Sequence, residues 1–442
     1  MSTTAATDDR SSRPLSRQDM KTLSLSALGG ALEFYDFIVF VFFTAALSKL
    51  FFPPDVSDWV RQLQTYGIFA AGYLARPLGG IVMAHFGDLV GRKRMFTFSI
   101  FLMAVPTFAM GLLPTYAEIG IAAPILLLLL RIIQGAAIGG EVPGAWVFVA
   151  EHVPDRHVGF ACGTLTAGLT VGILMGSLMA TFINQSLSPQ EVLDYGWRIA
   201  FVLGGVFGLL GVYLRRYLSE TPVFEEMRQH KALARELPIK TVILAHPGSV
   251  ALSMLLTWML TAAIVVVILM TPNFLQSAYG FAPAVAFKAN AVAVICLTAG
   301  CLFAGWAVDR YGSGTTFIAG SILLAACVYG FYTNIAQDPT LLFPFYSLTG
   351  FTVGIVGAVP FVMVKAFPPA VRFSGLSFSY NMAYAIFGGL TPVAVAALLK
   401  ESPLAPAWYV IATCAIGLVL GIYMKLTGFG RSPVDRSGTG RT

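Results

Sequence analysis

Five ionisable side chains lie in the middle of long apolar runs: Glu33 and Asp36 in the first run, Arg76 in the second, and Arg131 with Glu141 in the fourth. A charge at such a depth in hydrocarbon costs about 2.5–3.5 kcal/mol on insertion scales, so each needs a partner or a water-filled cavity. Glu33 and Asp36 are spaced to share one face of a helix, where two carboxylates repel unless one of them holds a proton. A proton carrier needs that condition, and Asp36, with Glu33 or Glu141 as coupled partner, is the expected proton site. Arg76 and Arg131 are expected to pair alternately with these acids or with a substrate. Because a guanidinium binds a carboxylate through two parallel hydrogen bonds, they favour an anionic or zwitterionic substrate. The opposing expectation is that these charges form fixed structural pairs that join three helices without titrating.

The second half of the chain offers no buried acid. Its candidates are neutral: Trp258, with Thr257, Thr261 and Asn273, in one run, and Tyr380, Asn381 and Tyr384 within two turns of another. Proton coupling is therefore expected in the first half, with Tyr380, Asn381, Tyr384 and Trp258 left to hydrogen-bond the substrate. A lone polar residue in a membrane helix more often bonds to a neighbouring helix, which is the competing expectation for each of them. Lys365, near the end of its run, is placed to snorkel to the surface.

The elements that must position these residues follow from composition. A chain of 442 residues that is 57% hydrophobic and 11% charged cannot hide its apolar surface in a water-soluble globule. A spanning helix needs about 20 apolar residues at about 1.5 Å each. The runs predict helices near 24–51, 61–85, 95–114, 118–150, 158–185, 197–218, 247–275, 284–308, 314–334, 341–365, 373–399 and 405–426. None shows the short alternation of a barrel strand, so helices are the spanning elements. The fold class is all-α integral membrane, with twelve transmembrane helices in two pseudo-symmetric six-helix bundles. On this register Glu33, Arg76 and Glu141 lie about 14 Å from the inner end and Asp36 about 18 Å. Arg131 lies about 30 Å in, so it reaches Asp36 only if its helix tilts or kinks.

Twenty-one of the 28 Lys and Arg fall on one side of these spans, and only Lys49, Arg61, Arg198, Lys288 and Lys400 on the other. Cytoplasmic loops retain positive charge, so both termini are expected in the cytoplasm. The net charge of +6 then reports topology rather than nucleic-acid binding. The division is a tail at 1–21, expected to be disordered, a bundle at 22–218, a charged linker at 219–246, a bundle at 247–428 and a tail at 429–442. Pro222 and Pro238 bracket a surface helix expected in the linker. Asp88, Gly91 and Arg92 after the second helix are echoed by Asp309, Arg310 and Gly312 after the eighth, and Gly135 with Gly139 by Gly350 with Gly354. Such a parallel repeat implies an axis along the membrane normal and a binding site between the halves. Asp88, Gly91, Arg92, Asp309 and Arg310 read as a gate that locks the halves at one face. Gly163, Gly168, Gly172 and Gly176 in the fifth helix permit close approach and sliding.

The loop motif, the number of spans and the two-fold division resemble the major facilitator superfamily. Glu33-Phe-Tyr-Asp36, Ala75-Arg76-Pro77-Leu-Gly79, Arg131-Ile-Ile-Gln134-Gly135 with Gly139-Gly140-Glu141, and Arg372-Phe-Ser-Gly375 with Tyr380-Asn381 resemble its metabolite:proton symporter family. That resemblance implies the major facilitator fold and alternating-access, proton-coupled symport of a small polar metabolite such as an organic acid, a betaine or proline. It also implies a bacterial-type plasma membrane. The chain departs from the pattern at Ala84, where Gly is usual, and at Val142-Pro143, where Trp-Gly is usual. Pro143 is expected to kink the fourth helix.

Other functions find less in the sequence. No HExxH, GxSxG, P-loop or Cys/His cluster supports an enzyme, and no appended soluble domain supports a sensor. Cys162, Cys296, Cys301, Cys327 and Cys414 lie in apolar runs and read as packing residues, so no metal is expected. No cofactor is expected beyond protons as the coupling ion, and the partners are a small-molecule substrate and the lipid bilayer, with the chain a monomer. The closer rival is a proton-driven exporter of drugs or organic anions on the same scaffold.

Overall fold

The structure, a computed structural model, describes residues 13–90, 92–215, 238–335, 337–368, 371–399 and 401–429. Among these residues the chain is built from twelve long helices, in the order and at nearly the positions that the apolar runs predict. They are α1 (Arg17–Phe42, continued by Thr44–Leu50), α2 (Asp58–Val90), α3 (Arg92–Leu112), α4 (Ala122–Ile138 and Glu141–His152), α5 (Val158–Ser186) and α6 (Trp197–Arg215). The second set is α7 (Pro247–Ser277), α8 (Pro283–Tyr311), α9 (Ser313–Asn334), α10 (Pro339–Ala366), α11 (Arg372–Leu398) and α12 (Ala405–Thr427). Ten of them are long and apolar enough to cross a membrane; α3 adds a shorter apolar stretch, Phe101–Leu112, and α2 runs for 33 residues.

The first helix starts at Arg17, ahead of the expected 24. Ser16 and Asp19 form a reciprocal capping box, and Asp19 also takes the Arg13 guanidinium at 2.6 Å, so this turn is satisfied before the apolar run begins. A short helix, Pro238–Ala245, leads into α7. The side chains of Asp88 and Arg92, Gly91 as a whole, and the linker helix expected from Pro222 onward lie outside the described residues.

Small residues carry the repeat into three dimensions. In the first bundle a Cβ added to Gly135 of α4 would stand 1.9 Å from the Gly72 carbonyl oxygen of α2, and one at Gly79 would stand 1.8 Å from that of Ala136. In the second, a Cβ at Gly350 of α10 would meet the Ala293 carbonyl of α8 at 2.2 Å, and one at Gly354 would meet the Gly300 carbonyl carbon at 2.3 Å. The two bundles thus use corresponding glycines for corresponding close crossings.

The glycines of α5 do not form one sliding stripe. Gly163, with Gly159, packs on Cys301 and Gly305 of α8 in the other half, whereas Gly168 and Gly172 pack on Ala27 and Ala31 of α1 and Gly176 on Phe42. The contact between halves continues along α5, where the Thr170 hydroxyl lies 2.8 Å from that of Thr298 and Ser177 donates to the Phe287 carbonyl at 2.9 Å.

The fourth helix is interrupted, but at Gly139–Gly140 rather than at the proline itself. Pro143 is the third residue of the following segment, and it has no N–H with which to bond the Gly139 carbonyl one turn back. The interruption therefore falls where the hydrogen bond is missing. All five cysteines are free; Cys162, Cys301 and Cys414 are buried, and Cys296 and Cys327 are half-buried.

Candidate functional site

Arg76 is buried, 1% exposed, where α1, α2 and α11 meet between the bundles. Its guanidinium carbon lies 4.5 Å from the Tyr384 ring centre, 5.3 Å from Tyr73, 5.5 Å from Phe37 and 5.7 Å from Tyr380. The box comes together because Tyr380 and Tyr384 are one turn apart on α11, and Tyr73 is one turn before Arg76 on α2. Tyr380 is in turn held edge-on against Trp146 of α4, with ring centres 5.0 Å apart. The Nε and Nη1 atoms find no hydrogen-bond acceptor, so three of the five guanidinium N–H groups are unused. Aromatic faces attract a cation, and unused N–H groups can donate to a carboxylate. Both functions converge on one buried chamber of packed side chains to which each half contributes.

Arg131 occupies the layer beyond it. Its Nη1 donates to the Phe37 carbonyl at 3.0 Å and to the Gln134 side chain, and its guanidinium lies over the rings of Phe37 (3.8 Å), Phe40 (4.8 Å) and Phe69 (4.9 Å). Gln134 extends the contact by donating to the Asp36 carbonyl at 3.0 Å and to the Thr107 hydroxyl at 2.7 Å. Arg131 thus reaches the first helix, but at its main chain and rings.

The Asp36 carboxylate points elsewhere. It is 1% exposed and abuts two glycines of α6: an added Cβ would stand 3.0 Å from Oδ1 at Gly204 and 2.6 Å from Oδ2 at Gly208. Neither oxygen accepts a hydrogen bond from a described residue, and neither arginine forms an ion pair with it. The reason is helical rotation. Phe37 turns toward the arginines, so Asp36, about 100° round the helix, turns into the first bundle. Glu33 and Glu141 are buried as expected, at 4% and 3% exposure, and each is engaged with neighbouring groups. Among the described residues, every buried charge lies in the first half.

The four neutral candidates divide. Tyr380 and Tyr384 enter the chamber. Asn381 instead donates its amide across the interface to the Gly139 carbonyl, and to Ser377 at 3.3 Å. Trp258 stays inside the second bundle, its Nε1 bonded to the Tyr409 hydroxyl at 2.9 Å and its ring stacked on Phe387 at 4.2 Å. Tyr73 and Phe37, which complete the chamber, were not anticipated, because an aromatic at helical spacing reads as ordinary core.

Both ends of the chamber are bridged. At the termini face Asp309 accepts from the Gly159 and Phe160 N–H groups at the start of α5, at 2.8 and 2.7 Å. Arg372 pairs with Glu151 at 3.1 Å, and Lys365 pairs with Asp155 at 3.1 Å. Arg310 is exposed. At the opposite face Asn273 donates to the Val41 carbonyl at 3.0 Å and Asn290 to the Ser177 hydroxyl at 3.1 Å. A hollow on that face is lined by Thr44, Ser48, Lys49 and Tyr66 of the first half and Asn273 of the second, among others.

Known proteins share this plan. The chain is 31% identical to a putative proline/betaine transporter of Staphylococcus aureus over 93% of its own length and 89% of the relative's. It is 33% identical to a glycine betaine/proline/ectoine/pipecolic acid transporter of Dickeya dadantii, over 92% and 83% respectively. Among solved structures, the proton:xylose symporter XylE superposes with a TM-score of 0.74 at 17% identity, over 92% of this chain and 95% of that one, which is a likeness of fold. The sequence profile described as the Major Facilitator Superfamily matches residues 27–392, nearly the whole span of the two bundles. With twelve helices in two repeats and a profile match over most of its length, the chain belongs to the major facilitator superfamily.

Proposed function

We propose that this protein is a secondary active transporter that carries a small zwitterion or organic acid together with protons, by alternating access. The observation that carries the reading is the Arg76 box, where a guanidinium with unused N–H groups and four buried aromatic rings from both halves meet. A carboxylate of the substrate would bond Arg76, and an ammonium group would lie on Tyr73, Tyr380 and Tyr384. Relatives named for proline and betaine, both zwitterions, support that substrate class.

In this reading Asp36 carries the proton, with Glu33 and Glu141 as coupled acids. Arg131 and Gln134 relay the occupancy of the chamber to the main chain at Asp36 and Phe37. The gate is the set of bridges at the termini face, including Asp309. No metal or other cofactor takes part. The protein works as a monomer in the plasma membrane of a bacterium, with both termini in the cytoplasm.

Uptake into proteoliposomes tests the proposal. An inward proton gradient should drive accumulation of proline or glycine betaine, and Asp36→Asn should abolish accumulation while sparing substrate exchange at zero gradient. Accumulation that survives in Asp36→Asn with its pH dependence intact would return these charges to a structural role. Stimulation by hydrophobic cations alone would favour the exporter.

A further inference from the structure

The break in α4 leaves one main-chain acceptor without its helical donor. In a regular helix the Gly139 carbonyl would take the N–H of the residue four positions on, but that residue is Pro143. The Asn381 amide, from α11 in the other half, donates to this carbonyl instead. Asn381 is 2% exposed and wedged where small residues admit it: its Nδ2 lies 3.4 Å from the position a Cβ would take on Gly80 of α2. Gly80 is one turn beyond Arg76 toward the termini face, so the bond forms the floor of the chamber on that side.

We propose that Pro143 and Asn381 form a latch, in which a hydrogen bond removed from within α4 is replaced by one between the halves, and that this bond biases the transporter toward the state closed at the termini face. An orphaned carbonyl away from water is costly, so the partner that satisfies it is held tightly. When the halves rock apart at the termini face, Asn381 withdraws with α11 and water entering the opened cleft takes over the carbonyl. The bias thus depends on the proline as much as on the asparagine. This inference concerns which state is populated and does not depend on the identity of the substrate or on proton coupling.

A double-mutant cycle separates the latch from simple packing. Asn381→Ala should lower the melting temperature of the detergent-purified protein. It should also move the distance distribution between spin labels at the exposed positions 156 and 427 toward the open form, changing the open-to-closed ratio by about tenfold. Pro143→Ala restores the donor within α4. Adding it to Asn381→Ala should recover most of the lost melting temperature, because no carbonyl is then orphaned, while leaving the distribution open, because the bond between halves is still absent. Additive losses in the double variant, or an unchanged distance distribution in Asn381→Ala, overturn the proposal. The label readout retains its meaning even if transport by the variants is too weak to measure.

Discussion

Arg131 donates to the main-chain carbonyl of Phe37 at 3.0 Å, across the first bundle from α4 to α1. The second bundle repeats that bond with other chemistry: Tyr346 of α10 donates its hydroxyl to the Val267 carbonyl of α7 at 2.7 Å. The same hydroxyl lies 2.5 Å from the Asn290 amide oxygen, so its one proton is shared between two acceptors, and Asn290 donates to Ser177 of α5, which ties the neutral copy into a chain that reaches the first half. One repeat thus carries a charge at this position and the other a phenol. The difference is one instance of the confinement of the described buried charges to the first half, and it separates two roles that the fold makes look equivalent.

That separation predicts opposite phenotypes. Arg131→Lys keeps a charge but loses the planar group that lies over three rings, and it should lower uptake by at least about tenfold. Tyr346→Phe leaves the Asn290 oxygen buried without its donor and should cost about 1–3 kcal/mol of stability. Its pH profile of uptake should remain that of the unaltered protein. Thermal unfolding alongside uptake measured across pH checks both, and a changed pH profile in Tyr346→Phe would contradict the assignment.

Asp36 is sensitive to what stands opposite it on α6. Gly208→Ala places a methyl 2.6 Å from Oδ2 and 2.6 Å from the Ala104 side chain, so either the carboxylate or the helix must move. Overpacking of this kind costs about 1–3 kcal/mol. Proton movement per substrate should fall with it if the carboxylate is the group displaced. Gly211→Ala, on the same helix with nothing within 4 Å, is the control and should be near neutral. Melting curves and substrate-induced proton flux report the two effects independently.

The positions of these residues along the chain were far more legible in the sequence than their directions. Apolar runs located every span because lipid enforces a length, and the glycine echo located the crossings because only small residues permit backbones to touch. The same count put Glu33, Asp36, Arg76, Arg131 and Glu141 in the interior of helices, and all five are buried. What the count could not supply was rotation and partner. Asp36 and Phe37 are adjacent, yet one faces α6 and the other the arginines, and apolar residues all round α1 give no stripe from which to read a face. Tyr73 was missed for the same reason. Trp258 follows the competing expectation, a bond to a neighbouring helix, and its partner, Tyr409, lies on α12, too far along the chain for any local pattern to suggest it. Pro143 did announce a broken helix, but the site of the break depends on which carbonyl loses its donor.

The chamber walls should discriminate by ring rather than by hydroxyl. Tyr384 is the ring nearest the Arg76 guanidinium, at 4.5 Å. Tyr384→Leu removes the aromatic face and should raise the KM for a zwitterionic substrate by about tenfold, whereas Tyr384→Phe should change it by less than about threefold. Equal losses in both variants, measured by initial uptake rates, would point to the hydroxyl as the contact. The cation on the ring would then be the wrong element of the recognition.

The termini-face bridges should set apparent affinity without touching substrate. Asp309 is acceptor to two N–H groups at the start of α5, where the helix carries its partial positive charge, so charge and hydrogen bonds both hold it to that helix end. Asp309→Asn removes the charge and leaves one oxygen to serve both donors, and Glu151→Gln removes the ion pair to Arg372 in the same closure. Each should weaken the closed state at this face by about 1–2 kcal/mol, a five- to thirtyfold change in the population open toward the other side. A substrate offered from the opposite face binds only the population open to it, so its KM should rise in proportion, while binding to detergent-solubilised protein, accessible from both faces, should change far less. If KM from the opposite face is unchanged in both variants, these bridges hold packed helices together and do not act as a gate.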